Sequence, residues 1–302
     1  MSTTWRLLSY SPAGSGECRP GLLSKGRVID LGLGTETNAR STLEILESWD
    51  IMRERFGELA RAVPAAAPRV EDVTLRAPVA RPSAVFCANS NYGDHVAEMS
   101  SRPLIDKTTT FGPYMFLKAP HAVTDPYADV SAPADSSQLD WEIELGVVIG
   151  RPGKHIRVED AYDHVAGYVV LNEYSARDLG RPEVIQPFGM DELSSKSFDS
   201  GLPMGPWLTP RDAIPDPMDL HLLLSVGEEV MQDSSTKHMH FDIREQIAFL
   251  SRGLTLRPGD VVATGTPSGV GRPRGRFLQE GEVVTATIEG LGTIRNTIHH
   301  IR

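Results

Sequence analysis

The chain has 302 residues, 40% hydrophobic, 7% aromatic and 23% charged, the composition of a globular protein with a sizeable core. Thirty Lys and Arg against forty Asp and Glu leave a net charge of −10, which argues against nucleic-acid and anionic-membrane partners. No apolar run reaches the ~18 residues of a spanning helix. The first twenty residues carry Glu17 and no apolar stretch of the secretory kind. Cys18 and Cys87 are too few for a disulfide framework, so the expected compartment is a reducing cytoplasm.

In chain order, Trp5 to Tyr10, Gly21 to Leu23 and Arg27 to Leu31 read as short strands between turns. Ser41 and Glu44 have capping-box spacing at the start of a helix. Leu43, Leu46, Trp49, Met52, Phe56, Leu59 and Val63 then form one apolar stripe, which ends at Pro64 to Pro68. A domain boundary is expected near Ala77 to Pro82, dividing a small N-terminal domain (1–78) from a larger one (79–302). Beyond it, short Val/Ile-rich runs separated by Gly, Pro and Asp predict a mainly β, α+β architecture, closed or sandwiched. Asp242 and Glu245 open the best-defined later helix, with Gly253 as its stop.

Two segments carry titratable groups at telling intervals. In Asp140-Trp-Glu-Ile-Glu144 a strand places Asp140, Glu142 and Glu144 on one face, with neighbours roughly 6.5–7 Å apart. Such a row either faces water or shares a cation, since a buried unpaired charge costs several kcal/mol. With no Cys or His interleaved, the cation would be hard: Mg²⁺, Mn²⁺ or Ca²⁺. Glu173, after the run Gly167 to Asn172, could add a third carboxylate. In the second segment, His95 and Glu98 fall on one face if a helix opens there. They are either a surface pair or a water-activating base with its orienting carboxylate.

A third segment, Arg257 to Gly271, reads as a turn, a strand over Val261 to Ala263 and a Gly-rich loop. The loop could bring backbone N–H groups and the Thr264 or Thr266 hydroxyl near an anion, or simply turn a corner. It fits neither the phosphate-loop nor the dinucleotide fingerprint. His238, His240, His299, His300, Asp212, Asp216 and Asp219 read as surface or turn residues. Cys87 reads as a small core residue.

Taken in order, Asn91 to Glu98, Phe116 to Lys118, Leu139 to Leu145, Gly167 to Asp178, Lys196 to Asp199, Met204 to Trp207 and Thr264 to Gly271 resemble the fumarylacetoacetate hydrolase family. The likeness covers roughly Pro82 onward. It implies a twisted β-sandwich or roll as catalytic domain and commonly a homodimer. It also implies Mg²⁺ or Mn²⁺ held by Glu142, Glu144 and Glu173, with His95 and Glu98 as the water-activating dyad and Lys196 stabilising oxyanion charge. Lys118, Arg177 and Thr264 match substrate-lining positions.

The sequence departs from the family pattern at three places. Glu173 stands where Asp is usual, Gly180 where many relatives carry Gln, and Ser194-Ser195 lacks a common Gly. The expected activity is hydrolysis of a C–C bond in an acylpyruvate or 1,3-diketo acid, passing through an enolate. Decarboxylation of a 2-oxo acid, or hydratase or isomerase chemistry, is the alternative on the same fold. A silent small-molecule binder is the alternative from another class. Residues 101–111 and 179–191 are expected to shape the pocket.

Overall fold

The computed structural model describes residues 5–100, 103, 104, 106–181 and 189–301. The chain opens with β1 (Arg6–Pro12), β2 (Arg19–Ser24) and β3 (Arg27–Asp30), followed by α1 (Thr42–Glu47), α2 (Trp49–Arg61) and β4 (Val73–Arg76). Next come β5 (Val85–Asn89), α3 (Gly93–Met99), β6 (Tyr114–Lys118), β7 (Val123–Thr124), β8 (Val130–Ala132) and β9 (Leu139–Asp140). The central part contains β10 (Ile143–Ile149), β11 (Val165–Asn172), β12 (Ser175–Ala176), α4 (Glu192–Lys196) and β13 (Leu202–Pro210). The last third holds β14 (His221–Val226), β15 (Glu229–Ser235), α5 (Ile243–Gly253), β16 (Val261–Ala263), β17 (Val283–Ile288) and β18 (Gly292–His300).

The large sheet runs β3-β2-β1-β13-β11-β10-β16-β5-β6, with β4 also on β1 and β7 also on β13. A second sheet runs β15-β14-β17-β18-β8. The N-terminal strands extend the large sheet, because β1 pairs with β13 through Leu7 and Leu208. The fold is thus mixed α/β, mostly strands with few helices.

Both faces of the central strands are covered, which is why β10 and β11 are buried at every position. Ile143, Leu145, Val147, Tyr168 and Val170 pack toward Leu222, Leu224, Val284, Ala286 and Ile294 of the second sheet. Val148, Val169, Leu171, Val261 and Cys87 pack on the other side toward Ile45, Leu46, Trp49 and Phe56. Each such apolar side chain contributes about 1.5–3 kcal/mol. Cys87 is therefore a core residue, as its sequence surroundings suggested.

The apolar stripe from Leu43 to Val63 is two helices, not one. The Ser48 amide turns back to the Ile45 carbonyl, and the Ser48 carbonyl starts the second helix by accepting from Met52. Ser41 does cap Glu44, but the Glu44 carboxylate reaches the Arg40 amide rather than Ser41, so the box is displaced by one residue. At α5 the reciprocal capping box of Asp242 and Glu245 is complete.

Candidate metal centre and active site

Glu142 lies between β9 and β10, where the strand breaks. Its amide donates to Asn172 Oδ1 at 2.9 Å, and its carbonyl accepts from the Glu173 amide at 2.8 Å. The antiparallel β10–β11 register, with Ile143 opposite Asn172, then brings Glu142 and Glu173 together. Glu144 joins them from two residues on. Carboxylate oxygens of Glu142, Glu144 and Glu173 lie within 4.8 Å of one another. The residues are only 4%, 1% and 1% exposed, which removes the reading of a solvent-facing acidic strand.

Asp140 does not join them. Its Oδ1 accepts from the Trp141 and Gly271 amides at 2.8 and 2.7 Å. Its Oδ2 accepts from Arg177 Nε and the Arg272 amide at 2.8 and 3.1 Å. The expected single acidic face of Asp140, Glu142 and Glu144 is therefore split by the break in the strand.

Three cations surround the cluster. Lys196 Nζ donates to Glu142 Oε2 at 2.8 Å and to Glu173 Oε2 at 2.6 Å. Arg177 Nη2 is 2.6 Å from Glu142 Oε1, and Lys118 Nζ is 3.9 Å from Glu173 Oε1. Burial works to raise the Glu142 pKa, but Lys196 and Arg177 outweigh it, so Glu142 titrates well below the usual carboxylate range. Burial also opposes the charge of Lys196, yet Glu142 and Glu173 hold its pKa above the lysine value. Lys118 is pushed down, chiefly by burial.

Glu144 is the exception. Its polar contact is the Gly265 amide at 2.8 Å, and burial together with Glu173 and Glu142 drives its pKa well above 4.5. Glu173 Oε1 is buried with no hydrogen-bond partner. An undercompensated carboxylate beside an orphaned carboxylate oxygen fits a hard divalent cation, with an all-oxygen donor set of the Mg²⁺, Mn²⁺ or Ca²⁺ kind. The extra methylene of Glu173 does not take it out of the cluster.

The His95–Glu98 pair sits on α3, with His95 Nδ1 2.8 Å from Glu98 Oε1. Their side chains are 12% and 19% exposed, so the pair is no free surface feature. A carboxylate only accepts, so Nδ1 carries the proton and Nε2 is left as the basic nitrogen. Helix α3 is tied to the Gly-rich loop that also holds Glu144. Gly269 N–H donates to Glu98 Oε2 and Ser268 Oγ to Asp94 Oδ2, both at 2.9 Å. His95 is close enough to lower the Glu142 pKa further, after Lys196 and Arg177.

The loop's N–H groups thus meet the protein's own carboxylates: Gly265 holds Glu144, Gly269 holds Glu98, and Gly271 holds Asp140. Two groups expected to line the substrate site are engaged within the protein. The Thr264 hydroxyl donates to the Leu145 carbonyl at 2.9 Å, and Arg177 is committed to Asp140 and Glu142. Lys118 is wholly buried, against Glu173 and the Tyr174 carbonyl.

Gln232 of β15 had no sequence signal, being one polar residue in a strand. Yet its Oε1 accepts from the Ile143 amide at 3.0 Å, and its Nε2 donates to Thr266 and Pro267. It ties the second sheet to the start of β10. The Gly180 and Ser195 departures turn out to be one feature, because a Cβ at Gly180 would sit 3.1 Å from Ser195 Cβ and Oγ. The expected pocket segments fall partly on positions 101, 102, 105 and 182–188, outside the described residues.

The family model described as fumarylacetoacetate (FAA) hydrolase C-terminal matches residues 84–299. The chain belongs to the fumarylacetoacetate hydrolase family. It is 40% identical over 281 residues to the mitochondrial oxaloacetate tautomerase FAHD2A of Bos taurus, covering 90% of this chain and 84% of that protein. To the oxaloacetate tautomerase YisK of Bacillus subtilis (strain 168) it is 41% identical over 234 residues, covering 76% and 74%. The solved fumarylacetoacetate hydrolase from psychrophilic Exiguobacterium antarcticum has a TM-score of 0.80 and 32% identity, covering 99% of this chain and 100% of that one. The likeness to that structure therefore covers the N-terminal strands as well.

Proposed function

We propose that this chain is a divalent-metal enzyme that interconverts the keto and enol forms of a 2-oxo acid. The observation that carries the reading is the buried Glu142–Glu144–Glu173 cluster, tied through one Gly-rich loop to the His95–Glu98 pair. The relatives named oxaloacetate tautomerase support the reaction type. Glu142, Glu144 and Glu173 would hold a divalent cation, which would supply Lewis acidity to the 2-oxo acid.

The chain's residues supply the proton transfer. His95 Nε2 takes a proton from C3 as the C–H electron pair becomes the C=C bond and the C=O pair moves onto oxygen. The imidazolium then returns that proton to the oxygen, giving the enol and the neutral imidazole. The reverse sequence regenerates the ketone. Glu98 stabilises the imidazolium formed in between, and Gly269 keeps Glu98 on Nδ1. Lys196 stays protonated at neutral pH and offsets negative charge on the oxygen.

The test uses oxaloacetate added as the enol, with its ultraviolet absorbance followed with Mg²⁺ and with EDTA. Metal-dependent acceleration of enol loss, without release of pyruvate, is the expected result. Hydrolysis of an acylpyruvate is the second reading, favoured by the likeness to the Exiguobacterium hydrolase. There the same dyad would deprotonate water, and pyruvate release from an acylpyruvate would replace tautomerisation. A protein that binds metal and accelerates neither reaction is the silent binder.

A further inference from the structure

Arg272 opens a short 3-10 turn, Arg272–Arg274, that packs against α3, the helix carrying His95 and Glu98. Its backbone is anchored by the bond from its amide to Asp140, two residues from Glu142. Asp140 already accepts four hydrogen bonds, from Trp141, Gly271, Arg272 and Arg177, which fill its lone-pair directions. It has none left for the Arg272 guanidinium.

The same run contains Arg274, which donates to the Met231 carbonyl, and Arg276, which pairs with Glu282. Arg272 and Arg181 differ from them. Among the described residues neither guanidinium has a hydrogen bond or an ion pair. Arg272 is half-buried, and its pKa is lowered by burial first and by the charges of Arg181 and Arg177 next, with Asp140 opposing them last. Arg181 follows Arg177 by four residues through the turn at Leu179. In a chain of net charge −10, Arg272 and Arg181 stand without an ion-pair partner among the described residues.

We propose that Arg272 and Arg181 receive the distal carboxylate of a dianionic 2-oxo acid and so select dicarboxylate over monocarboxylate substrates. The assignment rests on the oxo-acid reading above and names the substrate class for that site. Arginine suits it, since the planar guanidinium binds a carboxylate through two donors. Gly180 and Ser195, which pack on each other, leave no side-chain amide at that position to take the same role.

The test is calorimetric titration of the Mg²⁺-loaded protein with oxaloacetate and with its 4-methyl ester, which lacks the distal charge. Wild type is expected to bind the dianion about tenfold to a hundredfold more tightly than the ester. Arg272→Gln with Arg181→Gln should remove that preference while leaving affinity for the ester and the melting temperature unchanged, and Arg272→Lys should retain part of it. No preference in wild type, or an intact preference in the double variant, overturns the assignment. If the preference follows the arginines while enol loss is not accelerated, the carboxylate receptor stands and the tautomerase reading falls.

Discussion

The Gly269 amide donates to Glu98 Oε2 at 2.9 Å across 171 positions of sequence. Glu98, the carboxylate on His95 Nδ1, is thus set by a loop from the far end of the chain. Gly269 has φ +106°, and a Cβ there would stand 2.1 Å from the Met231 carbonyl oxygen. Gly269→Ala must shift the loop, at a cost of about 1–3 kcal/mol. It should also lower kcat more than it raises KM, because Glu98 loses its anchor. Urea unfolding and steady-state kinetics on the same preparation check both. An unchanged kcat would separate the loop from the dyad.

Metal binding should stabilise the fold through the three glutamates. At a hundredfold excess over Kd, Mn²⁺ or Mg²⁺ adds about 2.7 kcal/mol, read as a higher melting temperature that EDTA reverses. Glu142→Gln and Glu173→Gln should each abolish the shift. Persistence of the shift in both variants would place the ion elsewhere.

The sign of the Glu144 effect is set by its raised pKa. Unfolded Glu144 ionises near the ordinary 4.5, whereas folded Glu144 holds its proton to higher pH. The unfolded state therefore releases its proton first, and the metal-free protein loses stability as pH rises above 4.5 toward the folded pKa. Glu144→Gln removes that loss. The metal-free variant should melt higher than wild type at pH 8, yet gain nothing from Mg²⁺. Melting curves at pH 5 and pH 8, with and without metal, test this crossing of effects.

Lys196→Met leaves Glu142 and Glu173 without the ammonium that both contact. Breaking one side of a buried ion pair costs about 3–5 kcal/mol, so the metal-free variant should unfold at markedly lower urea. Added Mn²⁺ should restore part of the difference, since it neutralises the same carboxylates. If metal restores none of it, the lysine's role is packing rather than charge.

His95→Asn should lower kcat by about 10² to 10⁴, the range for removal of a general base. Glu98→Gln should lower it less, because the imidazole remains while its orientation and charge support weaken. Both variants should keep the full metal-induced rise in melting temperature, since neither residue belongs to the carboxylate cluster. A lost metal response in His95→Asn would reassign that histidine as a ligand.

Period and punctuation made much of this molecule legible in advance. The Val/Ile-rich runs became β10, β11, β16, β17 and β18, and the Asp242–Glu245 cap became the start of α5, because these signals act within a few residues. The titratable residues expected to matter, Glu142, Glu144, Glu173, His95, Glu98 and Lys196, do converge. Alternation along one strand misplaced Asp140, because it assumes an unbroken strand and the pleat is interrupted before Glu142. The helical stripe ran through Ser48, because side-chain period does not register a backbone turn.

Local chemistry was thus written in the order of the residues: which segments pleat or coil, and which side chains can carry a proton or a cation. Tertiary structure decided the partners. It turned the Gly-rich loop onto Glu98, Glu144 and Asp140, buried Lys118 and Arg177 against the glutamates, and left Arg272 without an ion-pair partner among the described residues. Those contacts join positions from tens of residues to 171 residues apart, and only the folded chain brings such groups together.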